Sequence, residues 1–203
     1  LNLLKTVQMF QSAKWHHPLK VDDVITLRSS IKNIYDAPQG EILELSGIGL
    51  VGGQPVVEGE IGFLVKNKKQ SQGRKNRVPE QPAESFRIEM QTKKGQQLEY
   101  ADVTGDNNFI HTSDFLAKKA GLPGAIMHGA CVLAMSCSAL TSRLAGNDIS
   151  RLESISGQFG RPVIPGQKLT IVGYQSTDDR EFPFEVLNPM NKLVFKKGIL
   201  CIR

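Results

Sequence analysis

The residues best suited to chemistry lie in one short polar stretch, GDNNFIHTSDF, at positions 105–115. It brings Asp106, Asn108 and His111 close together in sequence. A carboxylate and an imidazole can transfer protons, and an amide can orient a water molecule. Because the stretch has the composition of a loop, no helix or strand period keeps these side chains apart. The residues alone are equally compatible with a turn held by Asx-type hydrogen bonds, in which the histidine caps or packs.

A second stretch, PGAIMHGACVLAMSCSAL at 123–140, changes that balance. His128 and Gly129 begin a predicted helix over 128–146 that is apolar nearly all round and therefore buried. The free N–H groups and positive dipole end of such a helix suit a developing oxyanion, and Gly129 lets a ligand carbonyl approach closely. The His128 ring is expected to cap the polar loop. An acid–base pair and an amide beside an oxyanion site are what adding water to a conjugated thioester requires.

The elements around these residues indicate an α+β layer fold. The segment 113–121 predicts a short helix that begins after Ser113 and ends at Gly121. Residues 85–92 read as a strand, 95–105 as an extended or short helical approach, and 150–203 mostly as strands separated by turns. One central helix followed by strands that wrap it is typical of a layered α+β domain.

An internal repeat predicts two related units. WHHPLKVDDVITL (15–27) resembles FGRPVIPGQKLTI (159–171), and QPVVEGEIGFLV (54–65) resembles NKLVFKKGILCI (191–202). Two unrelated proline turns before strands are the alternative. Duplication predicts a partial, non-catalytic unit at 1–66, a linker at 67–84 and a whole catalytic unit at 85–203.

Composition limits which compartments and partners are expected for the protein. The chain has a net charge of +5 and no apolar run long enough to cross a bilayer. The basic stretch 66–77 has no aromatic residues for base stacking, which favours a linker over a nucleic-acid site; contact with the phosphates of an anionic ligand is a smaller alternative. No signal peptide is evident, and Cys131, Cys137 and Cys201 are expected to be buried, unpaired thiols. These features predict a cytoplasmic protein.

The stretch YADVTGDNNFIHTSDFLA (100–117) resembles the signature of the MaoC-like, (R)-specific enoyl-CoA hydratases. GAIMHGAC is similar to the His-Gly segment of that family, and GQFGRPVIPGQKLTI to its Phe-x-x-Pro-Val strand. The positions that match the signature are Tyr100, Val103, Thr104, Gly105, Asp106, Asn108, Ile110, His111 and Ala117.

The resemblance implies a hotdog fold, here a double hotdog with a truncated first unit and the active site where the units meet. It implies that Asp106 and His111 form the acid–base pair, Asn108 orients the water and the Gly129 N–H contacts the thioester oxygen. The implied reaction converts a trans-2-enoyl-CoA or acyl-carrier thioester reversibly to the (3R)-3-hydroxyacyl thioester, with no cofactor and no metal. A homodimer of double-hotdog chains is also expected.

Phe109 stands where the family has proline, and we expect it to pack against the acyl tunnel. Two other activities stay open: a hotdog thioesterase and a non-catalytic acyl-CoA binding module. A metal site formed by His16, His17, Asp106 and His111 is a weaker alternative, because the first pair lacks ligand spacing.

Overall fold

A computed structural model describes residues 6–66 and 82–203, so most of the predicted linker lies outside the described residues. The strands are β1 (Thr6–Trp15), β2 (Thr26–Ala37), β3 (Gly40–Val51), β4 (Gln54–Lys66), β5 (Glu84–Gln91), β6 (Leu152–Phe159), β7 (Lys168–Tyr174), β8 (Glu181–Leu187) and β9 (Leu193–Ile202). The helices are α1 (Gln96–Thr104), α2 (Phe109–Thr112), α3 (Asp114–Lys119) and α4 (Gly129–Ala145), with a 3₁₀ turn at Ile149–Arg151.

The strand order reflects the sequence repeat. Within the described residues the strands pair antiparallel in the order β2-β3-β4-β1-β6-β9-β8-β7-β5. From the central β1–β6 pair outward, β4 corresponds to β9, β3 to β8 and β2 to β7. Trp15 and Phe159, aligned in the repeat, are the last residues of β1 and β6. Two related units therefore join edge to edge through β1 and β6, as the double-hotdog prediction requires.

Helix α4 fills the core of the second unit. It begins after His128 and ends before Gly146, whose φ of 61° supplies the left-handed residue that terminates many helices. Leu133 and Leu140 on this helix are buried in one cluster with residues from the sheet, among them Leu169 and Phe195. Truncating such a fully buried leucine to alanine typically costs about 2–5 kcal/mol. The buried helix predicted over 128–146 is confirmed.

The corresponding face of the first unit carries no helix within residues 6–66. Register places Leu27 opposite Gly49, Gly49 opposite Val57 and Val57 opposite Trp15, so Leu27 shares the face on which α4 lies in the second unit. Leu27 is 68% exposed. Residues 6–66 therefore form a sheet without a helix packed against it. No helix in the described ranges is long and apolar enough to span a membrane.

Candidate active site

The polar stretch forms the turn between α1 and α2. Helix α1 ends at Gly105, whose φ of 74° reverses the chain. The Asp106 carboxylate then accepts a hydrogen bond from the Asn108 N–H at 3.3 Å. The Asn108 side-chain oxygen accepts from the Ile110 N–H at 3.4 Å and caps α2. The Asx-type turn and the convergence of polar side chains are therefore both present, although they were separate interpretations of the sequence.

His111 is held as a neutral imidazole. It lies in α2 with 8% of its surface exposed, and its Nδ1 is 2.9 Å from the Ile126 carbonyl oxygen. Because a carbonyl only accepts, Nδ1 carries the hydrogen and Nε2 keeps its lone pair. Burial lowers the pKa of His111 below its ordinary value, while the bond to Ile126 and the charge of Asp106 partly oppose this shift. The imidazole can therefore accept a proton at neutral pH.

Asp106 lies beside this base at the solvent edge. Its side chain is 55% exposed, which gives water and ligand access to the carboxylate. Coordinating atoms of Asp106, His111 and His128 all lie within 4.8 Å of one another. A single water molecule can bridge two groups at that separation, because each hydrogen bond spans roughly 2.8 Å.

His128 and Gly129 complete the site from α4. The His128 side chain is 2% exposed, and its Nε2 lies 3.0 Å from the Asp106 backbone oxygen, so the ring does cap the loop. Its ring also stacks on His111, with centroids 3.8 Å apart, and lies 4.8 Å from the Tyr100 ring. The loop cap was expected from sequence, whereas the stack was not, because no local pattern pairs residues of two separate elements.

Gly129 is the first residue of α4, and its N–H makes no hydrogen bond within the described part of the chain. That free donor suits an oxyanion. A side chain at this position would place its Cβ 2.8 Å from Cε1 of Phe159. The glycine is therefore required by packing against β6, a reason different from the ligand approach expected from sequence.

A cavity of about 420 Å³ lies between the two units, next to this cluster. Its walls come from Ala13 and Trp15 on β1, from β6, and from α4 between Ala130 and Thr141. Tyr100 also lines it, and its ring packs against that of His128. Phe109 is half-buried at the start of α2 and is not among the residues that line this cavity, so its expected place against the acyl tunnel stays a prediction. The remaining lining residues are Gln11, Leu133, Ala134, Cys137, Ser138, Asn147, Ile149, Leu152 and Ile155.

The metal alternative does not fit this arrangement. Among the described residues, His16 and His17 do not join Asp106 and His111 in any potential ligand group, and His16 instead contacts Glu58 at 3.3 Å. The group that does form replaces them with His128. Its two imidazoles are stacked, and each directs one nitrogen to a backbone carbonyl.

Comparison with solved structures defines the fold. A MaoC-like dehydratase from Phytophthora capsici superposes with a TM-score of 0.87 and 22% identity, covering 100% of this chain and 70% of that one. A Mycobacterium tuberculosis protein described as having a double hotdog fold superposes with a TM-score of 0.69 and 11% identity, covering 98% of this chain and 76% of that one. The α+β, double-hotdog prediction is confirmed.

Comparison of sequences defines the family. 3-Hydroxyacyl-thioester dehydratase Y from Mycobacterium tuberculosis is 28% identical over 180 residues, which cover 84% of this chain and 62% of that protein. A probable enoyl-CoA hydratase 2 from Dictyostelium discoideum is 26% identical over 185 residues, covering 80% and 61%. The chain thus spans about three-fifths of the length of these relatives. Residues 75–182, more than half of the chain, match the family described as MaoC like domain. The chain therefore belongs to the MaoC-like family.

Proposed function

We propose that this chain catalyses the reversible addition of water to a trans-2-enoyl thioester, giving a (3R)-3-hydroxyacyl thioester. The observation that carries the proposal is that the neutral His111 imidazole and the Asp106 carboxylate have coordinating atoms within 4.8 Å of each other, close enough for one water molecule to bridge them. The names of the two relatives, a 3-hydroxyacyl-thioester dehydratase and a probable enoyl-CoA hydratase, support the same chemistry.

The proton balance can be met by this pair alone. A water molecule held between Asp106 and His111 gives one proton to His111 Nε2 as its oxygen bonds to the β-carbon. The imidazolium, stabilised by the Asp106 charge, then returns a proton to the α-carbon. The hydrogen and hydroxyl of one water are thus added across the double bond, and the side chains regain their starting state. The Asn108 side-chain oxygen caps α2, while its amide N–H groups make no hydrogen bond within residues 6–66 and 82–203 and can therefore orient the water.

Charge develops on the thioester oxygen during this addition, and the Gly129 N–H is the donor we assign to it. From there the acyl chain would enter the cavity beside Ala130 and run along α4 toward Thr141. Eleven residues of helix at 1.5 Å each give a path of roughly 16 Å. Ala13 and Trp15 of the first unit line that cavity.

A direct assay tests the proposal. Crotonyl-CoA should lose the absorbance of its conjugated thioester on addition of protein, and chiral analysis should give the (3R) product. His111→Ala should lower kcat/KM by about 10²–10⁴-fold, the usual effect of losing an acid or base. Asp106→Asn should lower it by about 10²–10³-fold, the usual effect of removing a group that stabilises developing charge. Asp102→Asn, on the exposed surface of α1, and His17→Ala are the matched controls and should keep full activity.

The same assay separates the other two activities. Release of free CoA, detected with a thiol reagent, would indicate a thioesterase. Binding of crotonyl-CoA without turnover would indicate a binding module. Near wild-type hydration by Asp106→Asn would remove the assignment of this pair.

The compartment and assembly stay predictions. Cys131, Cys137 and Cys201 are free thiols, which is compatible with the cytoplasm but also with other reducing compartments. A relative from Arabidopsis thaliana is named as a peroxisomal enoyl-CoA hydratase 2. Imaging of the tagged protein would distinguish the cytoplasm from an organelle, and light scattering would test the homodimer.

A further inference from the structure

His128 connects three parts of the site: the Asp106 loop, the His111 ring and the start of α4. Its Nε2 bonds to the Asp106 backbone oxygen at 3.0 Å and lies 3.9 Å from the carboxylate Oδ2. Its ring stacks on His111 at 3.8 Å between centroids, with 25° between the planes. His128 is also the residue immediately before α4, so its backbone is bonded directly to Gly129. His128 thus contacts the loop and the His111 ring through its side chain, and it joins the start of α4 through its backbone.

Packing alone does not account for a histidine at this position. The bond to a carbonyl assigns the hydrogen to Nε2, so Nδ1 presents a lone pair. That Nδ1 is buried and has no hydrogen-bond partner within the described residues. A buried polar atom without a partner lowers stability, and a side chain used only for packing would not need one. Against this loss of stability, the histidine provides the Nε2 bond to the loop and the aromatic stack on His111.

We propose that His128 is a positioning residue, which fixes the Asp106 loop and the His111 ring relative to each other and to Gly129. The proposal rests on the function proposed above but concerns a residue to which that mechanism assigns no proton. Reacting groups need close alignment, and a displacement of about 1 Å can reduce a rate by roughly 10²-fold. Both contacts of His128 are with partners outside long secondary structure: a loop on one side, and a side chain on a four-residue helix on the other.

The stack also controls how much water reaches His111. The titratable groups facing His111 are His128 from the start of α4 and Asp106 from the loop. Tyr100 from α1 packs on the His128 ring. Burial is the largest cause of the lowered pKa of His111, and His128 lowers it further. Removing the ring therefore exposes His111 to water and raises its pKa.

Two variants separate the contacts of His128. His128→Gln keeps an N–H donor for the Asp106 oxygen but removes the ring, so the pKa of His111 should rise and the acid limb of kcat/KM should move to higher pH. His128→Phe keeps the ring but removes the donor, so the His111 titration should stay close to wild type while the amides of 105–108 exchange faster. In both variants, kcat on crotonyl-CoA should fall about 10-fold or more with a small change in KM. In His128→Ala, kcat should fall about 10²-fold.

Two measurements independent of turnover keep the test separate from the proposed function. The chain has 4 histidines, so NMR can follow the His111 imidazole in each variant once the signals of His16 and His17 are assigned by substitution. Hydrogen exchange reports the loop. Should wild-type protein lack hydratase activity while these two signals change as described, the proposed function fails and the positioning role stands. If the Gln and Phe variants lower only the melting temperature, and leave kcat, the His111 titration and loop exchange unchanged, His128 is a packing residue and the proposal is overturned.

Discussion

Replacing Phe109 with proline tests how the loop between Asp106 and His111 is built. Asn108 is the cap of α2 and Phe109 its first residue, the helix position at which proline is best tolerated. The Phe109 N–H donates no hydrogen bond within residues 6–66 and 82–203, so proline removes none there. Asn108 has φ −54° and ψ 129°, an extended conformation that proline favours in the residue before it. The backbone is therefore already arranged for proline.

The expected change in stability is small. Restricting the unfolded chain with a compatible proline stabilises the folded state by about 0.4–1 kcal/mol. Against this, fully burying a phenylalanine contributes about 1.5–3 kcal/mol, and a half-buried ring loses roughly half of that. The two effects nearly cancel, so the free energy of unfolding should change by less than about 1 kcal/mol and Tm by less than about 4 °C.

Calorimetry and hydratase assays on short and long enoyl-CoAs measure the outcome. Because Phe109 does not line the cavity, Phe109→Pro should leave the ratio of kcat/KM between chain lengths unchanged. Ile110→Pro is the matched control. It removes the N–H that bonds the Asn108 side chain and forces Phe109 out of its helical conformation, at a cost of at least about 2 kcal/mol. A Phe109→Pro protein that unfolds like the control, or changes its chain-length preference several-fold, would refute this reasoning.

Three further predictions follow from the site. Because burial lowers the pKa of His111 below 6.5, the acid limb of kcat/KM should lie below that pH. The free energy of unfolding should also decline as pH falls from about 6.5 through the folded-state pKa, because the unfolded chain binds the proton more readily in that range. Activity and denaturation measured across a pH series test both expectations. Gly129→Ala should lower the free energy of unfolding by about 1–3 kcal/mol, because its Cβ would clash with Phe159, and it should also lower kcat. Adding Phe159→Leu should recover part of the stability in denaturant unfolding, and a double variant with no recovery would disprove the clash. Asn108→Ala should lower the free energy of unfolding by about 0.5–2 kcal/mol, because the cap of α2 is lost. It should lower kcat less than Asp106→Asn does, and a larger loss of kcat in Asn108→Ala would contradict this prediction.

Local features of this protein could be predicted from its sequence because short-range interactions determine them. Ser113 caps α3 through a bond to the Leu116 N–H three residues away, and Gly146 ends α4 with a left-handed residue. Hydrogen bonds over such short distances leave a clear sequence pattern. The repeat also carried long-range information, because two copies of one unit fold alike and Trp15 and Phe159 then end equivalent strands.

Contacts between distant segments were decided only by the tertiary structure. The stack of His128 on His111 depends on how α4 and α2 meet, and the need for glycine at 129 depends on Phe159, which arrives on β6. The cavity depends on β1 of the first unit lying beside β6 of the second, which brings Trp15 to α4. The sequence identified which side chains can do chemistry, because residue type fixes acidity and hydrogen bonding. Their surroundings were set by packing, since side-chain volume and burial act between residues that no local spacing connects.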